Sequence, residues 1–236
     1  GETINFFGGS FMFGHGLSDQ QTLPYYVSES LNINAKNYGV GGYGAHQALA
    51  ILQSDRNTDA SINIFWTAPF HALRSACKKT YSSSNPKYTL VDGGKKLIRD
   101  GRCPNEKLLG RVLKHSAIYN FITRNFHLNV TDQDIELYLR IVSEIYNISK
   151  SRKQTFIIGF YKSQENYFKD TKFSNQSIFL ELQKYSDEIV DLTLSDKRDN
   201  IDKKYILHIL DGHPSSMANF EGSKIISKAI KKYIYY

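Results

Sequence analysis

Two short stretches near opposite ends of the 236-residue chain carry residue types that could do nucleophilic chemistry together. The first, Gly8-Gly9-Ser10-Phe11-Met12-Phe13-Gly14, follows the apolar run Thr3 to Phe7. A serine on a glycine-rich turn at a strand end can expose its hydroxyl, and backbone N–H groups beside it can face a developing oxyanion. The second, Asp211-Gly212-His213-Pro214, sets a carboxylate two residues before an imidazole. Such a carboxylate can fix the ring's tautomer while the other nitrogen addresses a serine. Either stretch alone also fits an ordinary turn or surface loop. Together they make Ser10 the candidate nucleophile, His213 its base and Asp211 the group that orients the base.

The elements that must position these residues read as strands alternating with helices. Thr3 to Phe7, Lys36 to Val40, Ile62 to Thr67, Thr155 to Tyr161 and Glu188 to Leu194 are the expected strands. Ile62 to Thr67 is apolar on both faces, as in the middle of a parallel sheet. Helices are expected over Gln47 to Leu52, after Thr131, and from about Met217 to Tyr233. Thr131-Asp132-Gln133-Asp134 resembles a capping box with Asp in place of Glu. This order predicts one α/β domain over residues 1–236, with a central parallel sheet of about five strands covered on both sides. From about 74 to 110 the pattern weakens into a loop-rich insertion. It holds a small hairpin, Tyr88 to Val91 and Lys95 to Ile98 around Asp92-Gly93-Gly94.

Order and spacing of these blocks resemble the SGNH/GDSL hydrolases, a flavodoxin-like three-layer α/β/α family of esterases, lipases, carbohydrate deacetylases and some acyltransferases. Gly8, Ser10 and Gly14 match the first block. Asn37-Tyr38-Gly39-Val40-Gly41-Gly42 matches Asn-x-Gly-x-x-Gly, and Asp211, His213 and Pro214 match the last block. The resemblance implies Ser10, His213 and Asp211 as the triad, with Ser10 N–H and Gly42 N–H as oxyanion donors. Two departures stand out. Gly9 replaces the usual Asp, and Ala68-Pro69-Phe70-His71-Ala72-Leu73-Arg74 replaces the block whose Asn donates to the oxyanion. Some envelope members carry a His and an Arg there, which makes His71 and Arg74 candidates for the missing donor. The function so implied is serine-dependent hydrolysis of acyl esters, O-deacetylation of a carbohydrate included. An O-acyltransferase, or a degenerate glycan-binding domain, is the alternative.

Rival readings come from the same residues. Gly39-Val40-Gly41-Gly42-Tyr43-Gly44 fits a dinucleotide fingerprint, with Asp59 at the expected offset, but that acid should end the following strand and instead precedes it. His208, Asp211 and His213 could ligate a metal, yet this leaves Ser10 and the Asn37–Gly42 block without a role. No metal and no cofactor is therefore expected. A net charge of +7 is spread in short pairs such as Lys78-Lys79 and Lys231-Lys232, and no nucleic-acid motif accompanies it, so the expected partner is an acylated small molecule or glycan. The sequence holds no run of about eighteen apolar residues. It opens almost directly on a strand, which suggests a leader, membrane anchor or membrane domain outside it. The resemblance points to the bacterial cell envelope, with a cytoplasmic location left open. Cys77 and Cys103 could pair across the insertion in an oxidising compartment, or remain two buried thiols.

Overall fold

The computed structural model describes residues 2–54, 59–79, 85–104, 129–194, 203–208 and 211–234. Its sheet contains β1 (Thr3–Gly8), β2 (Asn34–Asn37), β3 (Ile62–Thr67), β6 (Thr155–Phe160) and β7 (Glu188–Asp191), with β4 (Pro86–Val91) and β5 (Lys96–Arg102) set apart in a hairpin. The strand order is β2-β1-β3-β6-β7 and every pairing is parallel. The expected five-stranded sheet is present. In this order the chain reverses its direction of winding between β1 and β3, and ligands of open α/β sheets sit beyond the carboxyl ends of the strands at such a point.

Alternation along the strands supplies a core on each face of the sheet. Ile4, Phe6, Ile62, Ile64 and Ile157 face α2 (Leu23–Leu31) and the C-terminal helix α7 (Ser216–Ile234). Phe7, Phe65, Phe156 and Ile158 face α3 (Ala45–Gln53) and α5 (Asp132–Ser151), and α6 (Asn175–Gln183) adds Ile178 and Leu182 to that side. The result is the three-layer α/β/α arrangement. Helix α5 starts where the capping box predicted: Thr131 Oγ1 accepts from Asp134 N–H at 3.3 Å, and Thr131 N–H donates back to Asp134 Oδ2 at 2.8 Å. A cap of this kind is worth about 1 kcal/mol. Lys78 Nζ meets the same carboxylate at 2.7 Å and ties the end of the short helix α4 (His71–Ser75) to α5.

Several boundaries shift from expectation, and three of the differences bear on the site or have a visible cause. Strand β2 begins two residues early and stops at Asn37, because Asn37 turns its side chain to other work: its Nδ2 donates to Met12 O at 3.0 Å, and its Oδ1 accepts from Gly39 N–H at 2.9 Å. Strand β7 ends at Asp191, where Oδ1 accepts from Thr193 N–H and closes a turn. Asp211 to Pro214, expected as a plain loop before α7, forms β9, paired antiparallel with β8 (Ile206–His208).

The expected hairpin is present as β4 (Pro86–Val91) and β5 (Lys96–Arg102). It is anchored by Tyr88, 3% exposed, whose hydroxyl donates to Gln53 Oε1 at 2.7 Å. Cys77 and Cys103 are joined in a disulfide, with their Cα atoms 5.4 Å apart, which fixes the hairpin's end to the segment following α4. Residues 80–84 and 105–110 of the expected insertion lie outside the described residues.

Candidate active site

Ser10 is the first residue of the short helix α1 (Ser10–Phe13), immediately past the end of β1. The turn is closed by Phe13 N–H donating to Gly9 O at 3.0 Å and His15 N–H donating to Ser10 O at 3.0 Å. The Asn37 bond to Met12 O holds this helix from the side. Gly39 allows the two segments to meet so closely, since a Cβ there would lie 2.6 Å from Phe13 N. The Asn-x-Gly block therefore braces the Ser10 turn.

His213 arrives from the other end of the chain on β9. Its Nε2 lies 2.8 Å from Ser10 Oγ, and its Nδ1 is hydrogen-bonded to Asp211 Oδ1. Asp211 Oδ1 also accepts from His213 N–H at 3.1 Å. These hydrogen bonds from the His213 ring and backbone hold the Asp211 carboxyl below its ordinary value of 3.8. An ionised Asp211 accepts from Nδ1–H, which leaves Nε2 with a lone pair facing the serine hydroxyl. Ser10, His213 and Asp211 are thus brought into one hydrogen-bonded line from positions about two hundred residues apart.

A shallow cleft beside Ser10 is lined by Gly9, Phe11, Trp66, Phe70, His71 and Arg74. Phe11 is at the centre of its aromatic wall, with edge contacts to Trp66, Phe70, Tyr161 and His213 at ring-centre distances of 5.1–5.9 Å. His71 and Arg74 are both buried in α4, past the end of β3. Arg74 Nη1 donates to Tyr43 O at 2.6 Å, and its guanidinium stands over the Phe70 ring at 4.9 Å. His71 Nδ1 contacts Thr67 Oγ1 at 2.9 Å. Burial, then the Arg74 charge and then His46, keep the His71 imidazole well below its ordinary value of 6.5, so it is neutral.

The two sequence departures prove to be one structural fact. A Cβ on Gly9 would lie 2.7 Å from Arg74 Nη1, 2.7 Å from Tyr43 O and 3.5 Å from His71 Nε2. The volume that a side chain at position 9 would require is already occupied by the residues that replace the missing Asn block. Gly42, with φ +84°, lies in the turn that presents Tyr43 O and falls outside the cleft lining.

Several site residues gave no signal in the sequence. Trp66 and Thr67 read only as strand residues, and neither Phe11 nor Tyr138, in the helix expected after Thr131, has a spacing that ties it to Ser10 or His213. The His15 ring lies tilted against the His213 ring, their centres 4.6 Å apart. Among the described residues, His15, Asp211 and His213 can bring three ligand atoms within 4.8 Å of one another, so any metal here would compete with the serine for His213. His208, considered as a ligand from its spacing, pairs with Asp211 across the β8–β9 hairpin and is not part of that group. Asp59, the acid of the dinucleotide reading, forms an ion pair with Lys36 before β3, away from the cleft.

No protein-family model matches the sequence, and no curated protein matches it. Solved structures do. A protein described as lipolytic, of the G-D-S-L family, from Desulfitobacterium hafniense superposes with a TM-score of 0.59 at 12% identity, over 97% of this chain and 99% of that one. The psychrotrophic esterase EstA of Pseudoalteromonas, in a structure inhibited by monoethylphosphonate, gives 0.56 at 12% identity over 100% of both chains. A carbohydrate esterase family 2 enzyme with a carbohydrate-binding domain, from Corynascus thermopiles (Myceliophthora fergusii), gives 0.51 at 11% identity over 100% of this chain and 67% of that one. With its sheet order and its winding reversal between β1 and β3, this chain has the fold of the SGNH/GDSL hydrolases.

Proposed function

We propose that this chain hydrolyses acyl esters through an acyl-Ser10 intermediate, with an O-acylated carbohydrate as the substrate class. The observation that carries the reading is the line from Ser10 Oγ to His213 Nε2 at 2.8 Å and on from Nδ1 to Asp211, on a fold otherwise seen in esterases. In this mechanism Ser10 attacks the ester carbonyl while its proton passes to His213 Nε2, and Asp211 stabilises the imidazolium that forms. The resemblance gives the oxyanion two backbone donors, Ser10 N–H in the cleft and Gly42 N–H on the adjoining turn before Tyr43, and His71 or Arg74 offers a third. His213 then protonates the leaving alkoxide, and a water activated by the same ring releases the acid.

The narrow aromatic cleft, bounded by Phe11, Trp66 and Phe70, favours a short acyl group such as acetyl. The likeness to a carbohydrate esterase and the aromatic rings available for stacking on sugar faces support a glycan as the acyl carrier. A disulfide at Cys77–Cys103 supports an oxidising compartment outside the cytoplasm. The test is turnover of 4-nitrophenyl acetate beside a longer-chain ester and an acetylated oligosaccharide. Ser10→Ala and His213→Ala should each lower kcat by about 10³-fold or more. A serine-directed phosphonate should label Ser10 alone. Turnover that survives Ser10→Ala, or that requires added zinc, would overturn the reading. Acyl transfer to a sugar hydroxyl in preference to water would reassign the enzyme as a transferase.

A further inference from the structure

We infer that the third oxyanion donor is His71 Nε2–H, and that a buried hydroxyl relay running from Tyr138 through Thr67 fixes His71 in the tautomer this requires. The inference rests on the ester-hydrolase reading and chooses between the two side chains that the sequence offered.

Thr67 Oγ1 lies 2.9 Å from His71 Nδ1 on one side and 2.9 Å from the Tyr138 hydroxyl on the other. Thr67, His71 and Tyr138 are buried, at 1%, 3% and 0% exposure. Two hydrogen bonds need two protons, and the possible arrangements differ in what they leave unpaired. If Tyr138 donates to Thr67 and Thr67 donates to His71 Nδ1, every hydroxyl proton in the chain is used. If His71 Nδ1–H donates to Thr67, and Thr67 to Tyr138, the phenolic proton has no acceptor among the described residues. If Tyr138 and His71 both donate to Thr67, the threonine proton is stranded instead. The first arrangement leaves only His71 Nε2–H without a partner in the chain, at the cleft where a water or substrate oxygen can accept it, whereas each of the others strands a hydroxyl proton in the core, which is costly, so the first prevails. Burial also pushes the Tyr138 hydroxyl well above its ordinary value of 10, so the phenol keeps the proton that starts the relay.

With Nδ1 accepting, the neutral ring carries its proton on Nε2. That nitrogen has no hydrogen-bond partner among the described residues and points toward Gly9, where an added Cβ would lie 3.5 Å away. His71 and Ser10 line the same cleft. Arg74 has different tasks. Its Nη1 is bonded to Tyr43 O, and its charge helps to keep His71 neutral. During attack the serine proton goes to His213, the carbonyl electron pair moves onto oxygen, and His71 Nε2–H donates a hydrogen bond to that oxygen without giving up its proton. When the intermediate collapses, the pair returns, the bond to the leaving oxygen breaks, and His213 supplies that oxygen's proton. A neutral donor aimed at the developing charge needs no reorganisation at that moment.

Long-range proton–nitrogen NMR on histidine-labelled protein should show the His71 proton on Nε2, unchanged between pH 5 and 8. Stopped-flow acylation by 4-nitrophenyl acetate should slow about 10²- to 10³-fold in His71→Leu, with little change in KM. His71→Gln, which retains an N–H donor, should recover part of the rate. Thr67→Val removes the donor to His71 Nδ1 and should release the tautomer in the spectrum and slow acylation, whereas Thr67→Ser should restore both, and Tyr138→Phe, in which Thr67 still donates, should keep the proton on Nε2. A wild-type proton on Nδ1, or acylation at the wild-type rate in folded His71→Leu, overturns the inference. If His71→Leu fails to fold, wild-type acylation in Thr67→Val with the tautomer released overturns it equally. Should acylation survive Ser10→Ala, the hydrolase reading itself has failed. Should Ser10→Ala be inactive while His71→Leu acylates normally, only the donor assignment has failed.

Discussion

Adding one methyl group at Gly9 probes the contact that distinguishes this site. The Cβ of Gly9→Ala would lie 2.7 Å from Tyr43 O, a backbone atom, and 2.7 Å from Arg74 Nη1, both inside the separation that Cβ atoms tolerate. The guanidinium has little freedom to retreat, because it is bonded to Tyr43 O at 2.6 Å and packed over Phe70. Either that charged hydrogen bond breaks, at about 1.5–3 kcal/mol, or the turn is pushed outward at the usual overpacking cost of about 1–3 kcal/mol. Taking about 2–3 kcal/mol, a chain of 236 residues should melt roughly 4–12 °C lower. Activity should suffer more than stability, because Ser10 is the next residue and a displacement approaching 1 Å costs on the order of 10²-fold in rate. Gly41→Ala is the control, since a Cβ there meets nothing within 4 Å. The measurements are calorimetric melting and kcat/KM on a short-chain ester. If Gly9→Ala matches Gly41→Ala in both, the wedge between Gly9, Arg74 and Tyr43 does not constrain the Ser10 turn, and the reasoning fails.

Two further outcomes follow from the described residues. Replacing Cys77 and Cys103 with alanine opens a loop with a sequence separation of 26, which the chain-entropy relation values at about 3.5 kcal/mol. Urea unfolding should register that loss, while equal stability, together with two free thiols in the denatured, unreduced wild type, would refute it. His46 is buried with neither ring nitrogen hydrogen-bonded, and burial followed by the Arg74 charge lowers it from 6.5 to about 3. Between those values the unfolded chain binds a proton that the folded chain refuses. His46 therefore supports the fold fully above 6.5, and that support is lost progressively as the pH falls toward 3. Well below 6.5, His46→Leu should flatten the fall of unfolding free energy by about 1.4 kcal/mol per pH unit; an unchanged slope would show that His46 takes up its proton in the folded state.

What the sequence determined by itself was local. Ile62 to Thr67 reads as a central strand because apolar residues stand on both of its faces, and β3 has those bounds. Thr131 and Asp134 fix the start of α5 because a cap needs only residues three apart. The Ser10 and Asp211–His213 blocks were legible because their residue types and short spacings are those that nucleophilic chemistry demands. The relations between distant segments were decided by the tertiary structure. Asn37 ends β2 early because its side chain is needed at Met12 O, a demand invisible in the strand's own composition. Pairing of Cys77 with Cys103 was open in the sequence, since it depends on two Cα atoms being brought to 5.4 Å by the packing of α4 and the hairpin. Gly9 and the Phe70–Arg74 segment read as two independent losses until the fold put Arg74 Nη1 in the volume that a Gly9 side chain would take. Likewise, nothing in the spacing of Thr67, His71 and Tyr138 connects them. Their shared proton chain exists because α5 lays Tyr138 against the end of β3, and a hydrogen bond buried away from water depends on which groups meet there, not on their separation in the chain.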